Sequence, residues 1–202
     1  GKTPTPAPLT SSDITNGIVS VDKLTSTLDL SSNTVTLPSG VGGKVLQVVQ
    51  TVKENAFSVA TSGGTVYDVT GLTVNITPTS TSNKIFVMLQ MNNVSSDQTG
   101  GPGVYTKILR GSTVLTSNTS GGQSDTYDSF CGGVGGGLSE NNRVRDKHHI
   151  NFLDSPNTTS QVTYKCQVVS GSSITIYVNR WGLNTDVASV STITAMEISA
   201  WL

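Results

Sequence analysis

Residues 131–149, CGGVGGGLSENNRVRDKHH, concentrate most of what this sequence offers to chemistry. They hold a cysteine, a run of glycines, Arg143, Arg145, Asp146, Lys147 and the chain's two histidines, His148 and His149. Such residues serve three chemistries: a phosphate cradle, a metal site, or a loop that grips a ligand. A phosphate-binding loop of the G-x-x-x-x-G-K-[ST] type needs its lysine and hydroxyl at fixed offsets, with a helix N-terminus behind them. The glycines at 132–137 are followed by neither Lys-Ser nor Lys-Thr, nor do they fit G-x-G-x-x-G, and Gly43-Lys44 is followed by Val45. No nucleotide or other cofactor is expected.

A metal site needs three or four convergent ligands. His148 and His149 are neighbours, and on a strand neighbours point to opposite faces, so the two cannot chelate one ion together. Cys131, Asp146 and one histidine leave a three-ligand set open. So does a threefold axis that would gather one histidine from each of three chains. The plainer reading is a polar strand edge, and no metal is expected within one chain. Asp97, Asp125, Asp128, Glu140, Asp146, Asp154 and Asp186 are scattered. A pair facing each other in space would suit glycoside hydrolysis, but in a Ser/Thr-rich chain scattered carboxylates read as surface. No catalytic residue is assigned and no enzyme is expected.

What remains for residues 118–149 is a long segment with little apolar content. Loops beyond about 15 residues are uncommon unless they are functional or mobile. Tyr127, Phe130, Arg143 and Arg145 combine stacking with directional hydrogen bonding and are the candidate receptor-binding residues, suited to a hydroxyl-rich glycan. A glycine-softened excursion between strands is the bland alternative.

These residues must be carried by something, and the composition says what. The chain has 202 residues, 35% hydrophobic and only 12% charged, with 21 glycines and a net charge of −1. Thr, Ser, Val, Asn and Gly dominate, the residues of strands and turns rather than of helices. No basic patch invites nucleic acid, and no apolar run reaches the length that spans a membrane. The opening GKTPTPAPLTSS lacks the apolar stretch of a signal peptide. It reads as a flexible or extended linker; a tag remnant, a processed end and a cut from a longer chain all stay open. Of the two cysteines, Cys166 alternates within an apolar strand pattern, where a thiol acts as a small hydrophobe. Free thiols are therefore favoured over a Cys131–Cys166 bond. Four N-x-[ST] sequons, at Asn75, Asn93, Asn118 and Asn157, match the chance expectation for so much Asn, Ser and Thr.

No stretch sustains an apolar period of 3.6. About ten short strands at turn spacings of about ten residues mark a sandwich or barrel. They begin with KVLQVVQTV (44–52), FSVAT (57–61) and TVYDV (65–69). Gly71 breaks that last run before LTVNITP (72–78). KIFVMLQMNNVS (84–95) is apolar on both faces and is therefore expected to be buried on both, and GVYTKILRGSTVLTS (103–117) folds back at Arg110-Gly111-Ser112. HHINFLDS (148–155), SQVTYKCQVVSG (160–171), SITIYVNRW (173–181) and VSTITAMEISAWL (190–202) complete the series. The expected fold is all-β: a jelly-roll-like antiparallel β-sandwich over residues 41–202, preceded by an extended attachment segment over residues 1–40. That segment is too small to bury a core alone.

The strings PSGVGGKVLQVVQTV, VTGLTVNITPTSTSNKIFVMLQMN, FLDSPNTTSQVTYKCQVVSG and STITAMEI resemble structural proteins of tailed bacteriophages, with marine and cyanobacterial phages nearest in character. DITNGIVSVDKLTS resembles the repeated linkers of phage fibres. The resemblance covers about residues 13–202 and rests on strands and turns, not on catalytic signatures. It implies a virion structural protein assembled in the host bacterial cytoplasm: a homotrimeric tail-fibre, head-fibre or spike component. Its N-terminal segment would bind other virion proteins, and its head would serve host attachment, with a host-surface glycan as the candidate receptor. The rival readings are a capsid decoration protein without a receptor role, a lectin-type carbohydrate-binding module, a glycan-degrading tailspike, and a secreted C1q- or TNF-like jelly roll.

If residues 118–149 form an exposed tip, replacing Tyr127, Arg143 and Arg145 together by alanine will change thermal stability by no more than about 0.5 kcal/mol. Adsorption to the host will fall for a tail fibre and stay unchanged for a capsid ornament. A large loss of stability would show the loop to be buried and remove it as a binding site.

Overall fold

Period-two alternation leaves each strand one face to bury, and two sheets that close on those faces satisfy it. The computed structural model describes residues 45–97, 103–115, 131–132 (backbone only), 146–181 and 188–200, all within the unit Gly43–Leu202. Residues 1–40, with the expected attachment segment, lie outside the described residues. The described elements are all strands: β1 (Val45–Lys53), β2 (Phe57–Ala60), β3 (Val66–Ile76), β4 (Lys84–Ser96), β5 (Val104–Arg110), β6 (Thr113–Val114), β7 (Cys131–Gly132), β8 (Asp146–Asp154), β9 (Val162–Ser170), β10 (Thr175–Val178) and β11 (Ser191–Ile198).

They form two antiparallel sheets. In the first, β1 pairs with β11, β11 with β4 and β4 with β8, while β10 joins β2 to the far end of β4. The registers show that β11 and β10 lie end to end along one edge of β4: Thr192 faces Gln90, and Ile176 faces Ser96. β1 and β2 likewise run end to end along them, with Lys53 opposite Ser191 and Phe57 opposite Val178. The first sheet is therefore four strand positions wide. In the second, β3 pairs with β9 and β9 with β5, whose other edge carries β6 and β7. Counting each end-to-end pair once, with β6 as a hairpin extension of β5, gives eight positions ordered 1-8-3-6 and 2-7-4-5. That is the jelly-roll order, so the expected fold class holds.

The core lies between the sheets. Ile85, Val87, Leu89 and Met91 of β4 meet Ile108 of β5 and Tyr164, Cys166 and Val168 of β9, all with no exposed surface. Each large aliphatic side chain so buried contributes roughly 1.5–3 kcal/mol relative to exposure. Cys166 is a free thiol, its ionisation pushed up by burial, as the strand alternation anticipated.

Two departures from expectation have local causes. Gly71 does not end a strand. At φ +82° it sits in the irregularity between Asp68 and Thr73, so β3 runs on through a bulge to Ile76. The strand β4 is also not covered on both faces by the described residues. Ile85 and Val87 are enclosed, whereas Phe86 and Met88 are only half-buried on the sheet's outer side.

The junctions between the end-to-end strands converge on Asn179, which is buried and left-handed at φ 62°. Its side-chain amide donates to the carbonyl of Lys53 at 2.7 Å, where β1 gives way to β2. Its side-chain oxygen accepts from the Ser191 hydroxyl at 2.5 Å, where β11 begins. Its backbone N–H donates to the Asn92 carbonyl at 3.0 Å, beside the β4 irregularity that contains left-handed Asn93. Asn179→Gly keeps the backbone conformation and loses the side-chain bonds; Asn179→Ala loses both. Chemical denaturation should find both variants destabilised, with the alanine variant the weaker by about 1 kcal/mol, the cost of a left-handed residue with a Cβ.

Candidate functional site

Tyr127, Phe130, Arg143 and Arg145 all lie outside the described residues. The strands beside them are placed. Cys131, just before the glycine run, stands in register opposite Thr106 on β5, and Asp146 starts β8. The candidate segment is thus tied to the second sheet at one point and resumes in the first.

Asp146 and the histidines are described, and the alternation separates the histidines as expected: His148 is fully buried and His149 exposed. The His148 ring reaches across the sandwich, its Nδ1 lying 2.6 Å from the Thr106 hydroxyl. Its Nε2 has no hydrogen-bond partner among the described residues. The Asp146 carboxylate stands 3.9 Å away, too far for a hydrogen bond. Burial pulls the His148 pKa below its ordinary 6.5; Asp146 opposes this and His149 adds to it. At neutral pH the ring is therefore uncharged, and the Asp146 contact is not an ion pair. No group of three or more His, Cys, Asp or Glu able to hold a metal occurs among the described residues.

Two buried carboxylates are cross-links. Asp154, at the end of β8, accepts two bonds from the Arg110 guanidinium at 2.8 and 2.6 Å and one from the buried Tyr164 hydroxyl at 2.6 Å. It thereby joins the first sheet to β5 and β9 of the second. Glu197 of β11, fully enclosed, accepts from the Thr79 N–H and hydroxyl, from Asn83 and from Gln47, at 2.6–2.8 Å. Desolvation pushes its pKa up, but the bonds from Asn83, Gln47 and Thr79 outweigh it and hold the carboxyl below its ordinary 4.5. These carboxylates are held for structure.

Two outward-facing features were not legible as sites in the sequence. The first is a row across the outer side of the first sheet. Val48 faces Met196, Met196 faces Phe86, and Phe86 faces Leu153, so one apolar side chain from each strand position lines up. Val48 is 56% and Leu153 54% exposed, and Val45, Leu46 and Val52 are each about half exposed beside them. The neighbouring row, Gln50–Thr194–Met88–Asn151, carries no charge, and its Gln50 amide donates to the Thr194 hydroxyl at 2.8 Å. The outer side of the second sheet differs. There Asp68 accepts from Lys165 at 2.9 Å and from Gln167 at 2.6 Å, and Asn75 accepts from Thr163 at 2.6 Å. The one signal for the apolar row was the two-faced pattern of KIFVML.

The second feature follows Asn179. The Arg180 guanidinium lies over the Tyr177 ring at 4.7 Å, a cation–π contact, and Tyr177, Arg180 and Trp181 are all partly exposed. These residues stand where the buried Asn179 hub sets the chain direction, so the cluster is held by the fold.

No family model and no curated protein matches the chain. Among solved structures it is similar to a chain of the T=1 particles derived from infectious bursal virus, at 12% identity and a TM-score of 0.35. The match covers 77% of this chain and 37% of that one, so the chain spans little more than a third of the structure it matches. At that level the likeness adds nothing to the fold read from the strand pairings.

Both His148 and Glu197 have pKa values lowered by folding, so the folded state binds fewer protons than the unfolded one and acid destabilises it. The His148 contribution is complete above pH 6.5 and is lost as pH falls through the folded value; that of Glu197 is complete above pH 4.5 and is lost lower still. Melting temperature measured against pH should fall in these two windows. His148→Gln should abolish the upper one. Glu197→Gln should shrink the lower one, leaving the part below pH 3.8 that Asp68 supplies through its bonds from Lys165 and Gln167, and cost about 1.5–3 kcal/mol at neutral pH, the worth of a charge-assisted hydrogen bond.

Proposed function

We propose that this chain is a non-enzymatic structural subunit of a tailed-phage virion, a homotrimeric fibre or spike component. Residues 1–40 attach it to other virion proteins, and the jelly roll is the head it presents to the host, with a surface glycan as receptor. The observation that carries this reading is the apolar row Val48–Met196–Phe86–Leu153. An antiparallel sheet with one face in water normally alternates polar residues outward. This sheet turns apolar side chains outward from all four strand positions, and a surface of that kind is made to be covered in an assembly. The jelly-roll order, common among capsid and lectin domains, and the sequence resemblance to phage structural proteins support the same setting.

A second reading, a free carbohydrate-binding jelly roll, draws on the Tyr177–Arg180–Trp181 cluster, because aromatic faces beside a guanidinium suit sugar rings and hydroxyls. Location separates the two. Antibody raised against the chain should label purified particles, at the tail if the chain is a fibre or spike and on the shell if it decorates the capsid. A preparation lacking residues 1–40 should keep its folded head and fail to join particles. Absence of label from intact virions, with the chain recovered free in the lysate, would overturn the structural reading and favour the second.

A further inference from the structure

We infer that the outer face of the first sheet, centred on Val48, Met196, Phe86 and Leu153, is the surface on which three copies of this chain pack around a common axis. This rests on the trimeric reading above and gives it an interface.

The face is wide, uncharged at its centre and, among the described residues, alone of its kind. Its central row joins four strand positions through the registers Val48–Met196, Met196–Phe86 and Phe86–Leu153. The half-exposed apolar residues on and beside that row present on the order of 400 Å² of apolar surface, the size of the largest patch on a typical monomer, which is often a functional surface. With the neutral residues of the next row, the face approaches the roughly 800 Å² that each partner gives to a standard interface. Among the described residues the cation next to this row, Lys84, already donates to the Ser155 hydroxyl at 2.7 Å, and Lys147 stands at the far end of β8, three rows from Leu153. A charged partner would find nothing to pair with here, whereas a second copy brings the same neutral, apolar chemistry. The opposite outer face, tied up by Asp68 with Lys165 and Gln167, offers no comparable surface.

Geometry allows three. Four strands about 4.8 Å apart make a face about 19 Å wide; three such faces closing as a triangular prism each stand about 5.5 Å from the axis, half of the ~10 Å at which packed sheets face one another. Side chains of ordinary length would fill the space between them. The strands nearest the axis would be β11 and β4, which bring Met196 and Phe86. The edge strands β1 and β8 would bring Val48 and Leu153 to the corners, where neighbouring copies meet.

The test is the oligomeric state of the full chain by light scattering and native mass spectrometry. The parent is expected to be a trimer. Val48→Glu with Leu153→Glu, both at half-exposed positions, should give a monomer with an unchanged far-ultraviolet circular dichroism spectrum, while Lys165→Glu on the opposite face should stay trimeric. Met196→Cys supplies a reading independent of those charges: a short bis-maleimide should join chains into covalent oligomers that the parent does not give. A trimer that survives both glutamates and shows no Met196→Cys cross-link would overturn this interface and leave the trimeric reading standing. A monomeric parent would overturn both, and a dimeric parent would overturn the threefold arrangement.

Discussion

The side chain of Asn179 holds together the level at which the strands of the first sheet are broken. Two of the first sheet's strand positions are broken, each into a pair of shorter strands, and a third carries an irregularity at the same level. Broken strands leave backbone donors and acceptors without ladder partners, and in a buried position each such group costs about as much as a lost hydrogen bond. Asn179 meets the need with both ends of its amide and with its own backbone, bonding Lys53, Ser191 and Asn92 at once. Only a short residue with a donor and an acceptor, tolerant of the left-handed conformation, does this. The alignment of β1 with β2 and of β11 with β10 depends on it, as does the continuous outer face that those strands build.

The buried polar groups follow one pattern. Charged residues are scarce in the chain, and several of the few are spent inside. Asp154 crosses from one sheet to the other through Arg110 and Tyr164. Glu197 gathers the turn around Thr79 and Asn83 onto β11. His148 leans on Thr106 across the interior. An apolar interior of Val and Ile packs in many near-equivalent ways, whereas directional bonds of this kind admit one register each. They fix which residues face each other across the sandwich, and with that the order of the rows on its outer surface.

Much of the fold was legible because the period-two pattern is a direct record of which face each residue takes. SQVTYKCQVV announces the enclosure of Tyr164, Cys166 and Val168, and the His148–His149 pair separates as its spacing demands. The turn at Arg110-Gly111-Ser112 is where its residues put it, with Gly111 left-handed. Less was legible where one residue has two uses. Gly71 reads as a break but serves a bulge inside a continuous strand. The outer apolar row was half visible, since KIFVML is apolar on both faces. The alignment of Phe86 with Val48 and Leu153 depends on registers between strands distant in sequence, which no local pattern records. The roles proposed for Tyr127, Phe130, Arg143 and Arg145 rest on composition alone.

The pairing of β1 with β11 sets a constraint in time as well as in space. Val45 lies opposite Ile198 and Lys53 opposite Ser191, so among the described strands the first pairs only with the last. Contacts so far apart in sequence close large loops before they return any energy, and they slow folding. On the ribosome β1 emerges early and must wait, its edge bare, until nearly all of the domain has been made. At about 5–20 residues per second, that exposure lasts on the order of ten seconds for each chain. An apolar strand left open in that interval can pair with a neighbouring nascent chain as readily as with its own C-terminal strand. Exchange of β1 between copies is then an error open to any assembly in which several of these chains are made side by side.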